Sequence, residues 1–488
     1  MTPAPCSDPV PDPAAAIGLD ALGHQVAHDL ARLDHGKPDW TRPHDHPDGH
    51  VHDVVIVGGG QSGLGAAFGL LRERIGNILV LDENPAGYEG PWDTYARMMT
   101  LRTPKELTAI DLGIPSLTFR AYWEARHGAA GWAALGKIPR ADWMAYLRWY
   151  RHVLGLPVRN DARVTLVEPL AGGPYRLHLA DGTALLARKV VLATGIQGGG
   201  QWHTPPEIAA RLPRRRYAHT SEAIDYARLA GRRIAILGAG ASSFDNAQAA
   251  LAQGVAQAHV FVRRAALPRV NPIRFMEASG MIARFATLDD DAKYALMASF
   301  FARNQPPTND TFARAAAYPG FRLHLGAPWL DVAETADGVA ITTPHGTATY
   351  DFLVLSTGLV TDPALRPELR LVADAIARWG DRHAADPAIT NPLIDAHPYL
   401  GPNFQLLPRD PADAARLEGL FAFNYSGLIS LGLSASALSG LKHAIPKLVA
   451  GVADQLFLDD RAALIADYLA YAEPEFVGEW HPAAEAAA

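Results

Sequence analysis

Short unbroken apolar runs alternate along this chain with Ala-rich amphipathic stretches, and glycine-rich turns stand at two of the junctions. Val54-Val55-Ile56-Val57 leads into Gly58-Gly59-Gly60-Gln61-Ser62-Gly63 and then into an Ala/Leu-rich segment reaching Arg74. A continuous apolar run suits a strand buried on both faces, and the spacing after the turn suits a helix. A second strand is predicted over Ile78–Leu81. The same series returns 180 residues later, counted from Gly58 to Gly238: Ile234-Ala235-Ile236-Leu237, the turn Gly238-Ala239-Gly240-Ala241-Ser242-Ser243, a helix, and a strand over Ala258–Val262. Alternating strands and helices of this kind predict an α/β fold with parallel sheets.

The remaining pattern fills in around those two units. A helix is expected about Ala14–Leu33, a helix-rich connection carries Trp143, Tyr146, Leu147 and Trp149, and a hairpin fits Val164–Leu179. Two further strands end in Thr-Gly, at Thr194-Gly195 and Thr357-Gly358, and each would bring the chain back beside one nucleotide. The expected organisation is two Rossmann-like dinucleotide-binding domains, the NADPH domain inserted in the FAD domain. Residues 1–50 form an N-terminal extension and 51–215 the first part of the FAD-binding domain. The NADPH-binding domain spans 216–330 with a helical insertion about 271–320, and 331–488 completes the FAD-binding domain with C-terminal helices.

The chemistry of the turns assigns the nucleotides. Glycine lets backbone N–H groups approach a pyrophosphate at a helix N-terminus. In the first turn Gly58, Gly60 and Gly63 are in register, with Gln61 and Ser62 between them, and Asp82 follows Gly58 by 24 positions (82 − 58). That is where an acid accepts from the hydroxyls of an unphosphorylated ribose, the arrangement of an FAD site. In the second turn Gly238 and Gly240 are kept, Ser242 intervenes, and Ser243 takes the third glycine's place. Its next strand ends in Arg263 and Arg264, which suit a 2′-phosphate and so favour NADPH over NADH.

Composition narrows the acceptor. At 488 residues the chain exceeds one core, and a net charge of −7 gives no reason to expect nucleic acid or an anionic membrane as partner. Its single cysteine, Cys6, excludes an intrachain disulfide and any Cys-x-x-Cys redox pair. The start Met1-Thr2-Pro3-Ala4-Pro5 lacks the features of a secretory leader, and Gly427–Leu441 is too short to span a bilayer, so a cytoplasmic location is expected. His44, His46, His50 and His52 sit with Asp45, Asp48 and Asp53 in a Pro/Gly-rich stretch that reads as a solvated linker rather than a metal site.

Several segments resemble the class B flavin-dependent monooxygenases, which include flavin-containing monooxygenases, N-hydroxylases and Baeyer–Villiger enzymes. Gly87-Tyr88-Glu89-Gly90-Pro91-Trp92 is similar to the family's Gly-Gly-x-Trp element, and Leu101-Arg102-Thr103-Pro104-Lys105-Glu106 to the stretch passing over the flavin. The resemblance implies flavin contacts for Trp92 and Arg102. His219-Thr220-Ser221-Glu222 is similar to the family's interdomain linker, which implies a role for His219 in coupling cofactor binding to domain movement. Asp351 through Leu355-Ser356-Thr357-Gly358 resembles an N-hydroxylase element. The asparagine of flavin-containing monooxygenases and the strict Baeyer–Villiger fingerprint are both missing.

The expected reaction is NADPH-dependent reduction of FAD, formation of a C4a-(hydro)peroxyflavin and transfer of one oxygen atom to a small organic substrate. Heteroatom (N) oxidation stands slightly ahead of Baeyer–Villiger oxygenation of a carbonyl. Two rivals are an NADPH:acceptor oxidoreductase passing electrons to a partner, and a nucleotide-binding scaffold without turnover. The Gly427–Gly432 stretch is expected to start a helix whose positive end faces the flavin, and residues 271–320 to cover the substrate pocket. Expected partners are a small-molecule substrate and dioxygen, with a homodimer left open.

Overall fold

The computed structural model describes residues 13–33 and 35–481. Cys6 and the start of the N-terminal extension lie outside them. Two sheets organise the chain, the first parallel with an antiparallel hairpin at one edge and the second wholly parallel. In the first, the order is Val158–Arg159, Ile78–Leu81, Val51–Val57, Ala184–Leu192, then the hairpin strands Tyr175–Leu179 and Val164–Pro169. Ala184–Leu192 divides its pairing. Its first half takes Tyr175–Leu179 antiparallel, and its second half takes Leu420–Phe421 parallel, bringing the C-terminal region back onto the sheet.

The second sheet is wholly parallel, ordered Phe321–Leu325, Gln257–Val262, Arg233–Leu237, Phe352–Leu355, Tyr217–His219. Phe352–Leu355 therefore joins this sheet although it lies beyond the 216–330 span expected for the second unit. A meander of Asp331–Thr335, Gly338–Thr343 and Gly346–Tyr350 precedes it. The two sheets are tied by an antiparallel ribbon of Gly200–Trp202 and Leu359–Thr361, the segments that come after the two Thr-Gly strand ends.

The apolar runs behave as their pattern predicts. Val54, Val55 and Ile56 are fully buried, and so are Ile234, Ala235 and Ile236. The helix Gln61–Arg72 packs against the long C-terminal helix Leu438–Ala470 because Gly65 and Gly69 leave room for Ile445 and Val449. A Cβ on Gly65 would lie 2.5 Å from Ile445. The 271–320 region is helical, as Pro272–Ala278, Met281–Arg284, Asp290–Arg303 and Asn309–Ala316. Among the described residues no helix is long and apolar enough to cross a membrane.

Residues 37–50 form an irregular strap leading into the strand Val51–Val57. Trp40 donates its indole N–H to the Glu73 carbonyl at 2.8 Å, and His50 pairs with Asn77 at 2.8 Å. His44 meets Asp460 at 2.8 Å, beside the buried Arg188 that also binds Asp53 and Asp460 at 3.0 and 2.9 Å. His46 accepts from the Asp48 N–H at 3.1 Å, and His52 packs edge-on against His50 at 4.6 Å between ring centres.

Candidate functional site

A cleft of about 1230 Å³ opens at the C-terminal ends of the first sheet's strands and runs across to the helix of the second turn. Its floor is the first glycine turn. Asp82 and Glu83, the segment Ala435–Ser439, and Asn271, Arg274, Glu277, Gln305 and Thr308 from the 271–320 region also line it. Of the residues singled out from the sequence, Gly58, Gly60, Gln61, Ser62, Asp82, Trp92, Arg102, Thr194, Gly195 and Ser242 border this space.

The first turn is shaped by steric necessity. Gly58 has φ of +109°, and a Cβ there would lie 2.4 Å from the Ala193 carbonyl oxygen. Gly63 does not face the cleft. It packs under the turn, where a Cβ would lie 1.8 Å from the Gly58 oxygen. At the helix N-cap, Gly60 offers no side-chain cap, so the first N–H groups of Gln61–Arg72 are left for a ligand. Asp82 is buried at the strand end and accepts from the Gly59 N–H at 2.7 Å and from Asn84 at 2.8 and 3.0 Å. Burial raises its pKa, opposed by these hydrogen bonds. Gln61 accepts from the Trp143 indole at 3.1 Å, and Trp92 stands edge-on to Trp143. The cradle, the uncapped helix and the acid at the strand end together fit a dinucleotide such as FAD.

The second turn shares the plan with differences. Gly238 has φ of +139°, and its missing Cβ would lie 2.4 Å from the Ser356 oxygen. Gly240 faces open space and leaves its helix uncapped. Ser243 is fully buried, and its hydroxyl has no hydrogen-bond partner. A small side chain is thus tolerated where the first turn has Gly63. Arg263 is exposed at the strand end. Arg264 instead donates to the Ala302 and Arg303 carbonyls at 3.1 and 3.5 Å, holding the C-terminal end of Asp290–Arg303. The two arginines therefore sit in different roles, and only Arg263 is left facing solvent.

His219 lies behind the cleft rather than in it. It ends the strand Tyr217–His219, stacks on Trp202 at 5.1 Å between ring centres, and shares a 2.7 Å hydrogen bond with the Ser221 hydroxyl. Burial lowers its pKa to about 4, against the pull of Glu222, so the ring is neutral at neutral pH. Trp202, Thr220 and Ser221 do reach the cleft. Gly358, with φ of +83°, turns the chain into the ribbon, and its carbonyl accepts from the His203 N–H at 2.9 Å.

Gly432 lies elsewhere than expected. It ends the short buried helix Leu428–Leu431 with φ of +72° and packs on Phe285, where a Cβ would come within 2.7 Å. The helix N-terminus beside the cleft belongs to Leu438–Ala470, whose first residues have no side-chain cap. The sequence expectation placed this start in the Gly/Ser-rich stretch because glycine and serine suit helix ends, but here Gly432 stops one helix before the next begins.

Contacts between residues remote in sequence hold the surroundings of the cleft, and no local motif reports them: the sequence singles out Arg102 but not its partner. Arg102 forms an ion pair with the buried Asp245 on the second turn's helix, bridging the two units. Burial raises the Asp245 pKa and Arg102 lowers it. Arg97 donates to the Glu222 and Ile224 carbonyls at 3.0 and 3.2 Å, fastening the linker after His219. Tyr95, pushed up to about 12 by burial, donates to Gln197 at 2.9 Å. Asn424 donates to the Leu192 carbonyl and to Thr194 Oγ1, each at 3.1 Å, and locks the returning chain to the first Thr-Gly strand end.

This geometry is that of a two-dinucleotide flavoprotein, and comparison with known proteins agrees. A family model described as FAD-NAD(P)-binding matches residues 55–197, and one described as L-lysine 6-monooxygenase/L-ornithine 5-monooxygenase matches residues 131–306. The chain is 64% identical over 473 residues to a FAD-dependent urate hydroxylase of Xanthomonas campestris, covering 97% of this chain and 100% of that protein. Ornithine hydroxylase from Pseudomonas aeruginosa superposes with a TM-score of 0.65 at 19% identity, over 83% of this chain and 100% of that one. A flavin-containing monooxygenase from Stenotrophomonas maltophilia superposes with a TM-score of 0.53 at 20% identity, over 82% and 98%. The chain belongs to the class B flavin-dependent monooxygenases, in the same family as the Xanthomonas enzyme. It is an oxidoreductase of a class that uses FAD and NADPH.

Proposed function

We propose that this chain hydroxylates urate, with FAD held on the first glycine turn and NADPH brought to the second. The 64% identity to a FAD-dependent urate hydroxylase over its entire length carries this reading. NADPH supplies two electrons, one atom of dioxygen enters urate and the other leaves as water. Bound FAD, once reduced, supplies the activation of dioxygen.

The residues of this chain have the complementary tasks. Asp82 accepts from the flavin nucleotide's ribose, and the uncapped N–H groups at Gly60, Gln61 and Ser62 meet its pyrophosphate. Arg263 grips the 2′-phosphate of NADPH while Arg264 stays with its helix. Trp92 and Arg102 border the flavin end of the cleft. Under the 271–320 cover, Arg274, Glu277 and the Gln305 amide face a planar anion that carries both N–H donors and carbonyl acceptors. His219, neutral and behind the cleft, positions the interdomain ribbon through Trp202 and is not a base toward substrate.

The test is stoichiometry. Purified flavoprotein in air with NADPH should consume one urate per NADPH, with dioxygen uptake to match. Urate left intact while NADPH oxidation proceeds unchanged would overturn the proposal. The lysine/ornithine monooxygenase model over 131–306 favours a second reading, N-hydroxylation of an amine. Hydroxylamine formation from L-ornithine or L-lysine, in place of urate loss, would select it.

A further inference from the structure

The C-terminal helix outlasts the body it packs on. Leu456 and Asp460 are buried, whereas Leu458, Ile465 and Leu469 are 50%, 56% and 77% exposed. At 100° per residue, Leu458, Ala462, Ile465 and Leu469 fall within about 60° of one another, on the face opposite Leu456 and Asp460. Their spacing of four, three and four residues is that of a helix-pairing seam. Tyr468 flanks the stripe at 80% exposure, and beyond the helix Tyr471, Phe476 and Trp480 are 64%, 86% and 81% exposed.

We propose that this face pairs two copies of the chain about a two-fold axis, with the terminal helices antiparallel. The stripe is self-complementary in that arrangement. Leu458 of one helix meets Leu469 of the other, and the small Ala462 admits the branched Ile465. A parallel arrangement would set Ala462 against Ala462 and leave a gap. With Tyr468 on its flank and Tyr471, Phe476, Val477 and Trp480 on the segment that follows the helix, the exposed apolar surface approaches the roughly 800 Å² per partner of a stable interface.

Charge argues for a protein partner over a lipid surface. From Phe457 to His481 the chain has six Asp or Glu and one Arg. A membrane-lying helix would carry lysine and arginine on its polar face. The inner face is already engaged, since Arg42 pairs with Asp467 and His44 with Asp460. Among the described residues, the outer face is the one left uncovered.

Sedimentation of the full-length flavoprotein tests this. The wild type should run at twice the chain mass at micromolar concentration. Ile465→Asp with Leu469→Asp should weaken association at least tenfold and leave bound flavin and turnover unchanged. Register is tested in a Cys6→Ser background, where mixed Ala462→Cys and Ile465→Cys chains should form a disulfide and Leu458→Cys alone should not. A monomeric wild type would overturn the proposal, as would a dimer indifferent to the two aspartates, or a monomer that co-sediments with phosphatidylglycerol vesicles. A disulfide from Leu458→Cys alone would overturn the antiparallel register.

Discussion

The two glycine turns share one plan in different surroundings. The first is embedded: Ser62 through Leu70 form a continuous buried stretch, the C-terminal helix packs across it, and Asn424 and the segment from Ala435 close its far side. The second is open, with Gly240 facing free space and Arg263 exposed. On the proposed assignment, one motif would serve a resident cofactor where the remaining chain folds over it, and an exchanging one where it does not. The difference lies in what packs on each turn.

The largest test of that contrast is removal of the first cradle. Gly58→Ala forces a Cβ against the Ala193 carbonyl and should leave protein with less than a tenth of its flavin, read from visible absorbance. Gly60→Ala separates folding from binding. Its Cβ would lie 3.7 Å from the nearest atom, Gly90 Cα, so the protein should fold while flavin affinity falls through a blocked pyrophosphate approach.

Next comes the open site. Arg263→Ala should raise the KM for NADPH about tenfold, the loss of one charge-assisted contact of about 1.5 kcal/mol, and leave NADH unaffected. Arg264→Ala should change thermal stability more than nucleotide preference, because its donors are spent on the carbonyls of residues 302 and 303.

Acidification should act more gently, through buried histidines. His219, His259 and His397 are each lowered to about 4, chiefly by burial. Unfolded histidine titrates near about 6.5, so the unfolded chain binds more protons between these values. The stability they contribute is fully present above about pH 6.5 and is lost as pH falls toward 4. Tm should therefore drop by several degrees from pH 7.5 to pH 5. The smallest effect belongs to Ser243→Ala, which removes a buried unpaired hydroxyl and should stabilise by about 1 kcal/mol with KM for NADPH within twofold.

Much of the fold was legible in the sequence because turns and buried strands are local. Val54–Val57 and Ile234–Leu237 announce strands, and the glycine spacing after each announces a phosphate-binding turn and a helix. The hairpin over Val164–Leu179 is equally local. The ion pair of Arg102 with Asp245 joins residues 143 apart, and no short-range pattern reports such a contact. Gly432 misled for a related reason. Glycine marks a helix end without saying which helix, and only packing on Phe285 decides it. Arg263 and Arg264 read alike as neighbours, yet tertiary contacts divide them.

On the proposed assignment, the contrast between the turns has one functional core: NADPH at the open turn would reduce the flavin held at the embedded one. Anaerobic mixing of the purified yellow protein with NADPH or NADH, read as the bleaching of flavin absorbance, tests that reduction. NADPH should bleach the flavin completely, at least tenfold faster than NADH at equal concentration, and Arg263→Ala should lose that preference. Flavin that dithionite bleaches and NADPH does not would contradict it.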